Sequence, residues 1–395
     1  MRLWGPAAAA LCLVLGGCLP FPGEPVRPGS TRLGSAEVSL PARLIGNMLV
    51  VEAKWDKSGP YHFLVDTGSS VTLVTPELAA RYPAKNAPPP QIPEVRVRSS
   101  DGGTTVLPAT TLERIELGGA RFLAVPAAVY DCTSLSDQLG VRIDGVLGFP
   151  LFRETLLTLD YPHGRVVLRA VAPGSNPPPI PGSTLAFTLP GKVPIVSVSL
   201  GEQRFSAFID SGSDDVASLN FRGLAPRFAF GPTIGLTVGT LTGDQTERVG
   251  RLAETLYVGD YALPQPVVVE TNEMSVLGGG LLKHFTVTFD QEHERVTFFR
   301  DPDGPIAIPA IRTTGLSVRK GPAYWRVVGV VPGSPADRAE IETGDLITRI
   351  NGEPVARWGG GRYEQVVSSQ DSLTVTLLTG TREADKALKV VELVP

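Results

Sequence analysis

The triplet Asp66-Thr67-Gly68 and its near copy Asp210-Ser211-Gly212 constrain this chain more than any other feature. Each follows an apolar run and precedes a serine. The first lies in His62-Phe63-Leu64-Val65-Asp66-Thr67-Gly68-Ser69, the second in Ser206-Ala207-Phe208-Ile209-Asp210-Ser211-Gly212-Ser213. One such triplet arises by chance about once in several chains of this length. Two in matched settings describe a pair of carboxylates built to meet. The match continues downstream. Val146-Leu147-Gly148 leads after twelve residues to Asp160, with His163, Arg165 and Val166 following. Val276-Leu277-Gly278 leads after the same twelve to Asp290, with His293, Arg295 and Val296 following. Such agreement marks an internal repeat, and its period is too long for a solenoid unit. The chain therefore reads as two homologous lobes. The repeated His and Arg mark a hairpin turn rather than catalytic groups.

The start of the chain reads as an export signal over residues 1–17. Met1-Arg2 is a minimal basic start, and Ala7 to Leu15 is an apolar stretch too short to span a bilayer. Leu15-Gly16-Gly17-Cys18 resembles a bacterial lipobox, which makes Cys18 the expected lipidation site; an ordinary signal peptide with an incidental cysteine is the plain alternative. Residues 18–35, rich in Pro and Gly, then form a tether. The expected location is the bacterial cell envelope, lipid-anchored. Leu19 rather than Asp after the cysteine points to the outer membrane of a host that has one. Of three cysteines only Cys132 remains for the folded part, which therefore contains no intrachain disulfide. Cys132 reads as a small buried hydrophobe.

A formal net charge of −4 with scattered charges argues against a nucleic-acid partner. The four histidines, His62, His163, His284 and His293, show no close His or Cys pairing, so neither a metal site nor any cofactor is expected. Short apolar stretches alternate with Gly, Pro, Asp and Asn every eight to twelve residues, the pattern of a mainly β protein. The expected divisions are lobe one at 36–172, a Pro-rich linker at 173–185, lobe two at 186–300 and a third unit at 312–395. Each lobe contains a candidate hairpin flap. One spans Val95 to Leu107 and turns at Ser99 to Gly103; the other spans Leu236 to Val249 and turns near Thr242-Gly243-Asp244.

Two carboxylates a few ångströms apart cannot both ionise easily, so the pair shares a proton. One Asp can then take a proton from water while the other donates to a carbonyl, and the roles belong to the pair. Gly68 and Gly212 allow close backbone approach, and their N–H groups can face the carboxylates. Thr67 and Ser211 have hydroxyls suited to bonding across to the opposite loop. Ser69 and Ser213 are candidates for bonding the outer carboxylate oxygens.

These two triplets, with the apolar-apolar-Gly segments at 146–148 and 276–278, resemble the aspartic protease superfamily of pepsin-like and retroviral-type enzymes. The resemblance covers about residues 36–300. It implies two homologous β-barrel-like lobes, with catalytic Asp66 and Asp210 facing each other across a peptide-binding cleft. It also implies that Thr67, Gly68, Ser69, Ser211, Gly212 and Ser213 support the catalytic loops. Both halves lie on one chain, so one copy suffices for the site. Two departures stand out. Asp214 and Asp215 follow the second triplet, where the family has small or apolar residues, and neither flap tip carries a tyrosine.

From Thr314 the chain resembles a PDZ domain of the bacterial, protease-associated type. The carrying residues are Gly315-Leu316-Ser317-Val318, Val330-Val331-Pro332-Gly333-Ser334-Pro335-Ala336, Gly344-Asp345-Leu346-Ile347 and Ile350-Asn351-Gly352. That resemblance implies a ligand peptide added beside Leu316 to Val318, its carboxylate held around Gly315 and Leu316, and a groove helix within Arg362 to Ser369. Glu340 stands where such a domain usually has glycine. The leading expectation is an exported, lipid-anchored aspartic endopeptidase whose PDZ domain recruits peptides. Its rivals are a peptide-binding envelope lipoprotein without catalysis and a self-cleaving maturation factor.

Overall fold

The computed structural model describes residues 29–54, 56–84, 94–172, 174–301 and 304–395. The expected export signal, Cys18 and most of the tether lie outside the described residues. The described chain is mainly β.

The two repeats build the same local sheet. Strand Tyr61–Asp66 pairs in parallel with Gly145–Gly148, which sets Asp66 opposite Gly148. Strand Gln203–Asp210 pairs in parallel with Ser275–Gly278 and sets Asp210 opposite Gly278. Phe63, Leu64 and Val65, like Ala207, Phe208 and Ile209, are buried in succession. A strand covered on both faces reads as an unbroken apolar run rather than an alternating one. That is why each aspartate emerges at the end of such a run.

The lobes join through their second repeat motif. Strand Thr155–Asp160 pairs antiparallel with Thr286–Asp290, Thr158 stands across from Thr288, and their hydroxyls lie 2.9 Å apart. Arg165–Ala170 and Arg295–Phe299 flank this central pair, and Glu37–Ile45 and Ser183–Thr188 complete a sheet shared by both lobes. One hydrophobic core runs through it. The Phe149 ring of lobe one packs edge-on against Phe187 and Phe289 of lobe two, at centroid distances of 6.2 and 5.2 Å.

The repeated His and Arg hold the turns of this sheet. His163 Nδ1 and Arg165 Nη2 each lie 2.7 Å from the Asp160 carboxylate, while His293 and Arg295 lie 2.8 and 2.9 Å from Asp290. Burial opposes ionisation of both aspartates. Those bonds outweigh it and hold both below the usual carboxylate range.

The C-terminal unit has its own core, centred on Trp325, Val327, Ile341, Ile347, Ile350 and Val375. Its sheet joins Leu316–Lys320, Trp325–Val330, Leu346–Ile350, Ser372–Thr379 and Arg382–Lys389. The groove helix spans Gly360–Ser369, two residues longer at its start than the sequence suggests. Ser334 caps helix Pro335–Arg338 by accepting from Asp337 N at 3.3 Å, with Pro335 in the first turn where no N–H is needed. This unit is bound closely to lobe two. Val394 packs against Val249 and Val267, the Arg251 guanidinium donates to the Pro395 carbonyl, and its other N–H groups hold Ile308 and Pro309 of the connecting segment.

Glu340 has φ +59°, the left-handed conformation that favours glycine. Replacing Glu340 by Gly removes the clash of Cβ with its own backbone. It is expected to stabilise the C-terminal unit by about 1 kcal/mol. The check is a urea titration of the whole chain followed by tryptophan fluorescence, which should show a higher midpoint for E340G.

Candidate active site

The two triplets meet as a reciprocal lock. Thr67 Oγ1 donates to Ile209 O at 2.8 Å and accepts from Ser211 N at 3.0 Å. Ser211 Oγ donates to Val65 O at 2.8 Å and accepts from Thr67 N at 3.0 Å. Both residues are fully buried, so each hydroxyl satisfies a backbone donor and a backbone acceptor of the other lobe where water has no access.

Above this lock stand Asp66 and Asp210. Gly68 N donates to Asp66 Oδ1 at 2.8 Å and Ser69 N at 3.0 Å; Gly212 N donates to Asp210 Oδ1 at 2.8 Å. A Cβ on Gly68 would sit 2.4 Å from the Asp210 carboxyl carbon, and one on Gly212 would sit 2.6 Å from that of Asp66. Each glycine therefore leaves space for the opposite carboxylate. Burial, then the facing Asp210 charge, pushes Asp66 well above the usual carboxylate range. Burial also raises Asp210, against the N–H of Gly212 and a bond from Asp66. One proton shared by the pair follows from that arrangement.

Behind each loop the apolar-Gly segment is pressed against the turn. A Cβ on Gly148 would meet the Val71 backbone at 2.5 Å, and one on Gly278 would meet Asp215 O at 2.4 Å. The following residue then ties the loop down: Phe149 N donates to Ser69 O at 2.8 Å and Gly279 N to Ser213 O at 2.7 Å. The serine hydroxyls differ from the sequence expectation. Ser69 Oγ turns away to Val71 O at 2.7 Å, and only its backbone N–H reaches Asp66, because the tight turn points amides rather than side chains at the carboxylate. At Ser213 it is likewise the backbone N–H that serves Asp210.

The two additional acids face away from the dyad. Asp214 crosses to the Gly46-Asn47 turn of lobe one, where Oδ1 accepts from Asn47 N at 2.8 Å and its carbonyl from Asn47 Nδ2 at 2.7 Å. It lines a second cavity, of about 320 Å³, so its surface opens onto that space although protein surrounds it. Asp215 lines the same cavity and accepts from Ser218 Oγ at 2.6 Å. Burial pushes Asp215 up to about 6, with Asp214 and Asp210 adding to it. Glu247 faces it there, pushed up to about 9 by burial and then by Asp215 and Asp214. The second loop thus adds, through Asp214, a further lobe-bridging contact to those of Thr67 and Ser211.

Both hairpins lie over the cleft and their tips meet. Lobe one contributes Glu94–Arg98 and the start of Thr104–Leu117; lobe two contributes Phe228–Gly239 and Asp244–Leu252. Asp101 at the first tip accepts from Thr240 Oγ1 at 2.7 Å and from Thr242 Oγ1 of the second. Arg98 grips Glu273 through two bonds of 2.7 and 3.0 Å. Beneath lies a cavity of about 190 Å³, lined by Asp66 and Asp210, by Arg98, Ser99 and Thr240 of the flaps, and by Leu135 and Gln138 of helix Thr133–Leu139.

Several of these residues carry no recognisable signal in the chain. The flap-tip threonines, Glu273 and Gln138 belong to none of the matched motifs. Tyr161 reads as a hairpin residue, yet its buried phenol is pushed up by burial and then by the charges of Asp210 and Asp66. Cys132 is a free, buried thiol that burial pushes up to about 12, which leaves it un-ionised and non-nucleophilic at neutral pH. Gly315 and Leu316 head the strand Leu316–Lys320 of the C-terminal unit. Cys18 lies outside the described residues. Among the described residues no group of His, Cys, Asp and Glu forms a metal-binding cluster.

Comparison with known proteins agrees with the two units. Residues 51–151 match the aspartyl protease family model and residues 326–379 match the PDZ domain model. The chain therefore carries an aspartyl-protease-type lobe and a C-terminal PDZ domain. A curated relative, "Putative serine protease HhoA" of Synechocystis sp., is 27% identical over 129 residues, which span 30% of this chain and 29% of that protein. A solved structure of the HtrA3 PDZ domain bound to a phage-derived ligand is 23% identical and covers 21% of this chain and 89% of its own, at a TM-score of 0.19, too low to bear on the fold.

Replacing Thr67 by Val keeps the shape but orphans the buried Ser211 N–H and the Ile209 carbonyl. The expected cost is about 2–4 kcal/mol, measured as a lowered midpoint in a urea titration. Asp215→Asn should act in the opposite direction. Its folded carboxyl, near pKa 6, lies above the 3.8 of an ordinary aspartate, so ionising it disfavours the fold. D215N is therefore expected to gain up to about 3 kcal/mol above pH 6, shrinking to nothing below pH 4, when melts are run across that range.

Proposed function

We propose that this chain is an aspartic-type endopeptidase that hydrolyses peptide bonds with a water held between Asp66 and Asp210. The observation that carries the reading is the reciprocal fit in which each glycine leaves room for the opposite carboxylate. In the shared-proton state, the ionised carboxylate takes a proton from water as the water oxygen attacks the substrate carbonyl carbon. The protonated carboxyl donates to the carbonyl oxygen, giving a neutral gem-diol. The protonated carboxyl then returns its proton to the amide nitrogen while the other carboxylate takes the proton of a gem-diol hydroxyl; the C–N bond breaks to give an acid and an amine, and the dyad again holds one proton. No covalent intermediate with the enzyme forms. The joined flap tips would hold an extended peptide in the cleft and limit water to the attacking molecule.

Serine chemistry has less support, although the curated relative is named for it. His163 and His293 serve turn carboxylates, His62 faces Glu52 and Asp144, and among the described residues no histidine bonds a serine hydroxyl. Both aspartates lie on one chain, so a monomer provides a complete site. The lipobox-like run ending at Cys18 supports a lipid-anchored enzyme of the bacterial envelope, placed there to act on exported polypeptides.

Asp66→Asn and Asp210→Asn are each expected to lower peptide hydrolysis by about 10³-fold or more while the circular dichroism spectrum stays unchanged. Near-native turnover by either variant would overturn the dyad reading. The pH profile gives a second check. The lower-pKa carboxyl must ionise and the other must keep its proton, and burial raises both. Both limbs of the kcat/KM profile should therefore lie at higher pH than two ordinary carboxyls would set them.

A further inference from the structure

We propose that the cavity behind the second catalytic loop binds a small aliphatic amine, with its ammonium group on Asp215 and Glu247 and its apolar body against the valine and leucine walls. This site is separate from the catalytic cleft, and the proposal goes beyond the peptidase reading.

At about 320 Å³ the cavity is larger than the one of about 190 Å³ that holds the dyad, and it falls in the size range of small-molecule sites. It lies between the loop at 214–217, the hairpin of Phe228–Gly239 and Asp244–Leu252, strand Val267–Glu270 and the segment that leads to the C-terminal unit. Leu236, Val238, Val249, Val267, Ile308 and Leu393 give it apolar walls, along which water finds few partners.

Against those walls stand three carboxyls without a matching set of cations. Lys283 and Lys320 act on Asp214 alone of the three. Both are already engaged: Lys283 Nζ donates to Asn47 Oδ1 at 3.1 Å, and Lys320 Nζ donates to Gln138 O at 2.9 Å with Glu364 beside it. Asp215 has a hydroxyl partner, Ser218, and no cation. Glu247, partly buried, has neither a hydrogen bond nor an ion pair among the described residues. Its neighbour Arg248 points to the other face of the strand, as alternate side chains do, and pairs with Glu270 at 3.0 Å. His284 also lines the cavity, and its Nε2 is buried without a partner. Burial pushes that imidazole down to about 4, so it adds no positive charge at neutral pH.

A carboxylate removed from water is costly without a cation, and burial with mutual repulsion keeps Asp215 and Glu247 protonated to higher pH than ordinary carboxyls. An ammonium group relieves both effects. It brings three N–H donors, enough for two carboxylates at once, and its charge lets Glu247 release its proton. The alkyl chain covers the apolar walls. A neutral alcohol gains only that second part, and a carboxylate is repelled. Occupancy should also steady the second catalytic loop, because Asp215 O accepts from Gly280 N at 2.9 Å and lies against Gly278.

The test uses the full chain with n-hexylamine, n-hexanol or hexanoate, read by calorimetry and by amide hydrogen exchange. At pH 8 hexylamine should bind at least about 10-fold more tightly than hexanol, and hexanoate should not bind. Exchange should slow over 213–217 and 245–249, which line the cavity. Amine binding should tighten by at least about 10-fold from pH 6 to pH 8, as the carboxyls ionise. Glu247→Gln and Asp215→Asn each remove a costly buried charge, so both variants should fold, and each should weaken the amine by at least about 10-fold. Asp66→Asn should leave it unchanged. The proposal is overturned if hexylamine does not bind or binds no better than hexanol. It is equally overturned if amine binding survives both Glu247→Gln and Asp215→Asn, or if Asp66→Asn removes it, which would put the amine at the dyad. None of these readouts needs peptide hydrolysis, so failure here leaves the peptidase reading standing.

Discussion

The four hydrogen bonds exchanged by Thr67 and Ser211 are the contact on which the rest of this structure depends. Two buried carboxyls raise each other's cost of ionisation, and what draws them together is the single proton they share. The lobes must be held by something else, at the same point and to a fraction of an ångström. Reciprocal hydroxyl-to-backbone bonds in a dry site do this, since breaking them leaves buried amides and carbonyls without partners. The glycines at 68 and 212 then remove the atoms that would stand where the carboxyls sit. A pair that is costly to ionise is thereby fixed by groups that surround it.

The sheet that joins the lobes repeats the same approach on a larger scale. Thr158 faces Thr288 near its centre, and the shared core carries Phe149 into the ring cluster of Phe187 and Phe289. Lobe motion that would part the dyad must therefore also expose apolar surface. Contact across the flap tips, through Asp101 with Thr240 and Thr242, closes the cleft from the other side. The C-terminal unit adds a third constraint, because its strand Leu316–Lys320 is bonded to a helix of lobe one and a hairpin of lobe two. The C-terminal unit and the cleft are thus joined through one strand.

Much of this was legible in the chain because duplication writes each constraint twice. The Asp-Thr-Gly and Asp-Ser-Gly triplets, the twelve-residue spacing from Gly148 to Asp160 and from Gly278 to Asp290, and the repeated His and Arg all correspond to matched features of the fold. Where packing or turn geometry sets the direction of a side chain, the sequence had little to offer. Asp214 stands out in the sequence as a departure beside the second triplet, but nothing there shows that it bonds Asn47, more than 160 positions earlier, and faces a separate cavity. Ser69 reads as a hydroxyl donor to the carboxylate, but the turn directs its amide there instead. Arg98 with Glu273 and Lys320 with Gln138 are pairings between distant segments that no local pattern encodes.

The sequence by itself determined that two equivalent loops exist, that each ends a buried strand in an aspartate, and that a peptide-binding module of known pattern follows. Those properties are local, being set by hydrophobic runs, glycine positions and turn chemistry within a few dozen residues. Tertiary structure alone decided that the two carboxyls press against each other's glycines, that the flaps touch, and that the PDZ strand lies against both cleft walls. Each of these depends on where whole elements pack, and packing is settled by the sum of long-range burial over the shared core, which no single segment contains.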